Sequence, residues 1–537
     1  MTSLSQELLH KALNDITISL INEPTLTRTK LEKYKRTFAK KYGLKRFVKN
    51  SEILNHVLNV DFLTEDEIEY LTHFLQVRRV RTISGIAVVA VMTKSSICPG
   101  NCIYCPEVNG VPKSYTGKEP AAMRGAQNNF IPKKQVVARL NQLKSIGHPL
   151  DKVHLIIMGG TFLATPLDYQ EYFVKECLDG ITGKSSTTLE EAHQNADTAA
   201  YRNVGITLET RPDYCKESHV NRILELGGTW VEIGIQVLSD KTLELIQRHH
   251  NLDDVWKAIR YAKDGGLKVT VHMMPNLFQS PEEDIKMFEV LYSDPKYVPD
   301  AVKIYPTLVL PNTKLFELWK KEVYKPYDSQ RVIDVVASIK AITPPYVRIQ
   351  RVQRDIPAYL ILDGVQSGNL RELAREELTR RGSKCSCIRC REVGHQTNLG
   401  NKSWINKEKK FSILEYPASN GIEYFISFET DDNETLFGFL RLREPSSASF
   451  RPELNSTPST IIRELHVYGK LVGIGKLPKN LEWQHRGIGQ KMIALAEETS
   501  KAKGYKKMLV TSGLGVRDYY RKLGFHQEGP FMAKSLK

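Results

Sequence analysis

Seven short β-rich runs recur between residues 82 and about 355: "TISGIAVVAVMTK", "VHLIIMGG", "VGITLET", "WVEIGIQ", "VTVHMMP", "AVKIYPTLVL" and "VRIQRVQR". Helix-length stretches such as "LDDVWKAIRYAKDGG" lie between several of them. A helix between two strands carries the chain back to where the first strand began, so the strands run parallel and form an α/β barrel or part of one. Such barrels place reactive groups at the C-terminal ends of their strands. Here those ends carry Gly159-Gly160-Thr161, Glu209 to Asp213, Gln236, His272 to Pro275 and Lys303 to Pro306. Polar side chains concentrate where a reaction is expected.

The loop after the first run reads "CPGNCIYC" and holds three of the chain's eight cysteines, Cys98, Cys102 and Cys105. The start, "MTSLSQELLHKALNDITISL", lacks the apolar core of a secretory signal and no run is long enough to span a membrane, so a cytoplasmic setting with reduced thiols is expected. Three thiolates suit a 4Fe-4S cluster with one iron left open, because an electron-transfer ferredoxin supplies four. A zinc loop is the alternative, although structural zinc wants four ligands. The spacing resembles that of the radical S-adenosylmethionine superfamily. That resemblance implies an open iron that chelates S-adenosylmethionine, with the backbone at Gly159 and Gly160 meeting its amino group and Glu209, Arg211 and Gln236 in contact with it. Tyr104 suits stacking near the adenine and, equally, packing.

A second group, "KCSCIRC", brings Cys385, Cys387 and Cys390 together, with His395 five residues on. A Cys3His zinc site that pins a domain junction is the expectation, and a second redox cluster is the competing reading. Cys177 and Cys215 read as ordinary reduced thiols.

Beyond residue 415 the rhythm changes to an antiparallel meander, "IEYFISFE", "LFGFLRLRE" and "IIRELHVYG", then a long helix, the strand "KKMLVTSG" and the short helix "VRDYYRKLG". Gln484-His485-Arg486-Gly487-Ile488-Gly489 opens the long helix, where free backbone N–H groups at the positive helix end suit a pyrophosphate. This order of elements resembles the GNAT acetyltransferases. The resemblance implies acetyl-CoA held by Gln484, Arg486, Gly487 and Gly489, with pantetheine along Leu465, His466 and Val467. Tyr519 or Tyr520 is then the proton donor to the departing thiolate, and one of the two is core, because helical neighbours point about 100° apart.

The formal net charge is +15, which favours a polyanionic partner. Residues 21–50 hold ten Lys or Arg against Glu23 and Glu32, a local excess of +8. Leu31, Tyr34 and Phe38 fall on one helical stripe, and Lys33, Lys35, Arg36, Lys40 and Lys41 are expected around it as a nucleic-acid contact, a solvated face being the bland alternative.

One chain with both signatures resembles the catalytic subunits of Elongator, a tRNA-modifying family. The matching stretches include "SYTGKEP" with Met123-Arg124, "MGGTF", "GITLETRPDYC", "EIGIQ", "HMMP", "YPTLV", "RVQRDIP", "GNLRELA", "FRPEL", "RELHVYG" and "YYRKLGF". The resemblance implies a tRNA uridine acetyltransferase that uses acetyl-CoA and a 5′-deoxyadenosyl radical to install a carboxymethyl-type group on C5 of the wobble uridine. It also implies tRNA as partner, with Elongator-type subunits or a second copy of the chain as further partners. C5 is an sp² carbon with no leaving group, so carbon–carbon bond formation there calls for a radical that side chains cannot supply. Lys303 and Tyr305 are expected on the substrate side, Lys303 having the alternative of neutralising Glu232.

The expected layout is a basic helical segment (1–80), a radical S-adenosylmethionine partial barrel (81–370), a cysteine-rich linker (371–415) and a GNAT domain (416–537). A protein lysine acetyltransferase of histone type, working through the GNAT lobe alone with Glu464 or His466 as base, is the competing function. A non-catalytic RNA scaffold is a third.

Overall fold

The computed structural model describes residues 3–77, 79–96, 98–468 and 487–537. Four helices open the chain: α1 (Ser3–Ile21), α2 (Arg28–Lys41), α3 (Asn50–Val57) and α4 (Glu65–Leu75). They close on a small core that includes Ile16, Leu20, Leu31, Ile53, Leu54 and Leu71. Thr27 caps α2, and Thr64 with Glu67 forms a reciprocal capping box on α4, so each start is fixed by a hydroxyl that accepts an orphan N–H. The expected stripe on α2 is present, with Tyr34 and Phe38 packed beside Leu31.

Lys35 departs from expectation. It shares the buried row with Leu31 and Ala39, and its ammonium donates to Glu32 at 2.8 Å and to Asn50 Oδ1 at 3.1 Å. Its long stem serves as packing, so it is not displayed. Lys33, Arg36, Lys40 and Lys41 are exposed, Lys41 ion-paired to Asp15 of α1 at 2.7 Å.

Seven parallel strands follow in simple sequence: β1 (Ala87–Met92), β2 (Lys152–Met158), β3 (Arg202–Thr210), β4 (Trp230–Gln236), β5 (Lys268–Met273), β6 (Ala301–Ile304) and β7 (Arg348–Val352). Each pairs with the next, and β1 and β7 remain as edges, which makes an unclosed half-barrel. Side chains occupy the outer side of each edge. Gln135 accepts from the Met92 N–H at 2.8 Å and donates to its carbonyl at 2.9 Å; Arg124 donates to the Ala90 carbonyl at 2.9 Å and Arg371 to that of Ile349 at 3.1 Å. Ala87, Val89 and Val91 bury one face of β1 while Val88 is exposed, so the interior is lined rather than filled.

The second sheet comprises β8 (Lys409–Ala418), β9 (Gly421–Thr430), β10 (Leu436–Glu444), β11 (Ser459–Val467), β12 (Lys507–Val510), β13 (His526–Glu528) and β14 (Phe531–Ser535), in the order β13-β14-β12-β11-β10-β9-β8. All neighbours are antiparallel except β11 and β12. The meander of β9, β10 and β11 is as the sequence implies. This sheet begins at Lys409, so the expected boundary at 416 falls inside β8.

The second lobe docks on the N-terminal rim of the half-barrel through buried charge. Arg463 of β11 reaches both Asp300 oxygens at 2.7 Å and Glu423 at 2.6 Å, while Arg443 reaches Asp264 at 2.7 Å and Glu423 at 3.0 Å. Lys268, the first residue of β5, is ion-paired to Glu464 of β11. Among the described residues no helix is long and apolar enough to cross a membrane.

Candidate functional site

The C-terminal rim carries the cysteine loop. Its backbone docks on neighbouring elements through Ile103 N–H to the Ile246 carbonyl (3.1 Å) and Leu315 N–H to the Ile103 carbonyl (2.8 Å). Cys98, Cys102 and Cys105 line one cavity of about 150 Å³ together with Gly160, Glu209, Arg211, Gln236, Lys303 and Tyr305. Residues drawn from five separate loops and strand ends therefore meet at one place. The hydrogen bond from Cys105, and then Arg248 and Arg211, hold the Cys102 thiol well below the usual thiol range. Three cysteine sulfurs facing one cavity, with Arg248 and Arg211 beside Cys102, are the donor set an iron–sulfur cluster needs, and three ligands leave one iron open.

The strand ends are shaped for close approach. Gly159 lies at φ +140°, and a Cβ there would stand 1.9 Å from Thr93 Oγ1, so only glycine fits. Gln236 is held at φ 78°, a strained position for a side-chain-bearing residue at the rim of the cavity. Glu209 accepts from Tyr115 at 2.6 Å, and Arg211 is fixed by Asp213 at 2.9 and 3.1 Å. Tyr104 is buried in the loop.

Lys303 is ion-paired to Glu232, as the alternative reading of it holds, and His272 Nε2 lies 3.1 Å from the same oxygen, Glu232 Oε2. No hydrogen bond to Glu232 Oε1 is formed among the described residues. Tyr305 packs edge-on against His272, with ring centroids 5.4 Å apart.

At the other rim, β12 pairs with β11 over Ser459 to Ile462 and ends at Val510, while β11 runs on to Val467 and leaves a gap beside it. The gap exposes the edge of Glu464 to His466 to a cleft closed by the helix Ile488–Ala502, whose cap Gly487 sits at φ 78°. A Cβ on Gly489 would lie 2.8 Å from the Tyr519 hydroxyl. Tyr520 seats its ring in the core beside Phe525, and burial raises both tyrosines, Tyr519 to about 12, so both are neutral phenols. Gln484 and Arg486, also expected here, lie outside the described residues.

The two candidate bases of β11 are engaged. Burial pushes the Glu464 carboxyl up, but Lys268 and Arg441 outweigh it and hold it below the usual range, with Arg441 Nε donating at 2.9 Å. His466 lies 3.1 Å from the Ser84 carbonyl, and burial pushes it down to about 4, which makes it a neutral donor there.

A larger cavity of about 1500 Å³ connects the two ends. It is lined by Gly487, Gly489, Leu465, His466, Val467, Tyr519 and Tyr520 at one end and by the half-barrel interior at the other. Glu232, Lys303, Met158, Arg351 and Asp355 line both cavities. The interior is thus a corridor along the strands; β4, with seven residues, spans roughly 20 Å. Its open side is basic. Arg139 is pushed down to about 10 by burial, with Arg124 and Arg81 adding, and Arg389 to about 10 by burial, with Arg371 and Arg348 adding.

The second cysteine group brings its three sulfurs within 4.8 Å of one another. His395 is not with them; its Nε2 lies 3.9 Å from Glu392. The four-ligand set that structural zinc demands is not assembled among the described residues, and the zinc expectation is not supported. The sequence reading passed over Arg248, which donates to Cys102, and Arg124 and Arg139 on the cavity wall. Arg248 lies in a loop and Arg124 and Arg139 on helices where arginine commonly faces solvent, so only the fold reveals that they turn inward.

Four family models match: ELP3 N-terminal domain (residues 9–83), Radical SAM superfamily (92–291), Radical_SAM C-terminal domain (299–380) and Acetyltransferase (GNAT) family (402–525). The chain is 46% identical over 496 residues to the tRNA uridine(34) acetyltransferase of Methanocaldococcus jannaschii, covering 91% of this chain and 90% of that one. It is 40% identical over 542 residues to Elongator complex protein 3 of Schizosaccharomyces pombe, covering 98% of each. The solved structure of Methanocaldococcus infernus Elp3 with an N-terminal deletion superposes with a TM-score of 0.75 at 43% identity, covering 85% of this chain and all of that one.

Proposed function

The chain belongs to the family of tRNA uridine(34) acetyltransferases and Elongator complex protein 3, and from that membership we propose that it modifies C5 of the wobble uridine of tRNA, with acetyl-CoA as carbon source. The observation that carries this reading is the corridor: Glu232 and Lys303 face both the cysteine-loop cavity and the cavity of the acetyltransferase cleft. Two separate activities would need no such connection.

Cys98, Cys102 and Cys105 would hold the 4Fe-4S cluster, and Gly159, Gly160, Glu209, Arg211 and Gln236 the S-adenosylmethionine. When bound, these groups supply a carbon radical able to take hydrogen from the acetyl methyl group, which gives that carbon the reactivity to bond to C5. The chain's own residues do the rest. Gly487 and Gly489, with Gln484 and Arg486, receive the pyrophosphate at a helix N-terminus. The edge of β11 from Leu465 to Val467, beyond the end of β12, takes the pantetheine as an added strand would be taken. Lys303, paired through one bond to Glu232 Oε2, and Glu232, whose Oε1 accepts no hydrogen bond among the described residues, offer a donor beside an acceptor where the two cavities meet. Tyr519 or Tyr520, held protonated by burial, gives a proton to the thiolate of coenzyme A. Arg81, Arg124, Arg139 and Arg389 leave the open side with positive charge for the phosphates beside the target nucleotide.

A lysine acetyltransferase working through the GNAT lobe alone is disfavoured by the engagement of Glu464 with Lys268 and Arg441 and of His466 with Ser84. The test is anaerobic reconstitution with iron and sulfide, incubation with dithionite, S-adenosylmethionine, acetyl-CoA and tRNA, and nucleoside mass spectrometry. A C5-modified wobble uridine that requires all four additions is expected. Acetyl transfer to peptide without S-adenosylmethionine, and no modified nucleoside, would overturn the reading.

A further inference from the structure

Arg248 is 6% exposed and stands behind the cysteine loop. One guanidinium nitrogen donates to Cys102 Sγ at 3.2 Å and the other to the Gly234 carbonyl at 2.6 Å. Its own carbonyl accepts from Arg211 at 2.7 Å, so the Arg211 side chain braces the backbone that carries Arg248. Gln247 and His249, on either side of it, are both held at positive φ, 55° and 58°. The chain is bent twice around this residue, strain that surrounding structure must sustain and that concentrates at functional sites. Arg211 Nη1 has no hydrogen-bond partner among the described residues, and a Cβ on Gly100 of the cysteine loop would lie 1.9 Å from it. Two guanidinium groups therefore press on one side of the loop, nearest Cys102.

We propose that Arg248 is a positioning residue that donates an N–H to the cluster-ligating sulfur of Cys102 and thereby raises the reduction potential of the cluster. The proposal rests on the reading that Cys98, Cys102 and Cys105 hold a 4Fe-4S cluster. A cluster gains negative charge on reduction, part of it on the thiolate sulfurs, and a fixed positive N–H donor stabilises the reduced form more than the oxidised one. The guanidinium does not lose its charge at any working pH. Its second bond, to the backbone at Gly234, fixes the angle of the fork, which lysine cannot reproduce.

The experiment compares the full chain with Arg248→Lys and Arg248→Gln after anaerobic reconstitution. Iron and sulfide content, circular dichroism and a redox titration followed by electron paramagnetic resonance are measured on each. With equal iron loading, R248Q is expected to shift to a more negative midpoint potential and R248K to a smaller shift in the same direction. Formation of 5′-deoxyadenosine from S-adenosylmethionine in R248Q is expected to fall with dithionite and to recover with the stronger reductant titanium(III) citrate. Unchanged midpoints at full loading would overturn the proposal. So would loss of iron from both variants with the fold intact, which would make Arg248 a brace for the loop alone. An unaltered chain that takes up no four-iron cluster would instead sink the cluster reading itself.

Discussion

Arg463 of the second sheet grips both carboxylate oxygens of Asp300, at 2.7 Å each, across the boundary between the two lobes. Both residues are fully buried, and Asp300 also accepts from the Val269 N–H at 2.7 Å. Lys263 lies 3.7 Å from Asp300 and 3.6 Å from Glu423, so the junction holds a mixed cluster of charge with no solvent to screen it. Removing one member of such a cluster leaves the others uncompensated, which costs more than the pair itself contributes.

The first prediction concerns that junction. Asp300→Ala should destabilise the protein by about 3–5 kcal/mol and lower the melting temperature of both lobes together. The exposed pair Lys257–Asp253, at 2.6 Å, is the control, and Asp253→Ala should change stability by no more than about 1 kcal/mol. Differential scanning calorimetry distinguishes the two; equal effects would mean the buried cluster does not weld the lobes.

Binding of tRNA is predicted to divide the basic residues of α2. Reversal of Lys33, Arg36 and Lys40 to Glu should weaken binding and reduce the slope of log affinity against log salt by roughly 0.7–0.9 for each phosphate no longer neutralised. Lys35→Ala should lower stability and leave the salt slope alone, because its ammonium is spent on Glu32 and Asn50. A slope unchanged in the triple variant would make the helix only a solvated face.

Gly487→Glu should abolish acetyl-CoA binding, by placing bulk and negative charge at the helix end suited to an anion. Iron content and tRNA affinity should persist while the modified nucleoside disappears. In the unaltered protein, acetyl-CoA deuterated at the methyl group should pass deuterium into 5′-deoxyadenosine. Deuterium-free deoxyadenosine alongside continued nucleoside formation would place hydrogen abstraction elsewhere.

Acid should unfold the protein through its buried histidines. His154, 2.6 Å from Thr207 Oγ1 inside the half-barrel, is pushed down to about 4 by burial, with Lys268 adding, and His466 is likewise near 4. The unfolded chain takes up protons near pH 6.5 that these residues refuse, so their contribution is full above that pH and is lost as pH falls toward 4. Each histidine should account for up to about 1.4 kcal/mol per pH unit in that window. Melting temperature should fall between pH 7 and 5, and by less in His154→Gln; an identical pH profile would show that His154 protonates freely in the fold.

Much of this was legible in the sequence for physical reasons. Parallel strands separated by helices leave a periodic trace, and the cysteine spacing is local, so Cys98, Cys102, Cys105, Glu209 and Gln236 could be placed at one rim from order alone. Glycine-rich strand and helix ends announce themselves because few other residues tolerate those backbones. What was not legible depends on three-dimensional neighbours. Lys35 reads as a surface charge until α3 brings Asn50 beside it, and His395 reads as a fourth ligand until the fold places it away from the three sulfurs, 3.9 Å from Glu392. Strand β8 alternates weakly because it is an edge with half of its residues exposed, which hid the start of the second sheet at Lys409.

The plugging of β1 and β7 by Gln135, Arg124 and Arg371 bears on how the chain avoids sticking to itself. A half-barrel has two bare margins, each a row of amide groups that could recruit a strand from another molecule and nucleate aggregates. Long polar side chains at those margins satisfy individual carbonyls and interpose bulk, while the arginines add charge that repels a second copy of the same margin. The half-barrel can therefore stay open without becoming a template for polymerisation. Gln135→Ala with Arg371→Ala should lower the melting temperature, because the Met92 N–H and carbonyl lose their buried partner, and should also raise self-association, which light scattering at rising concentration would register.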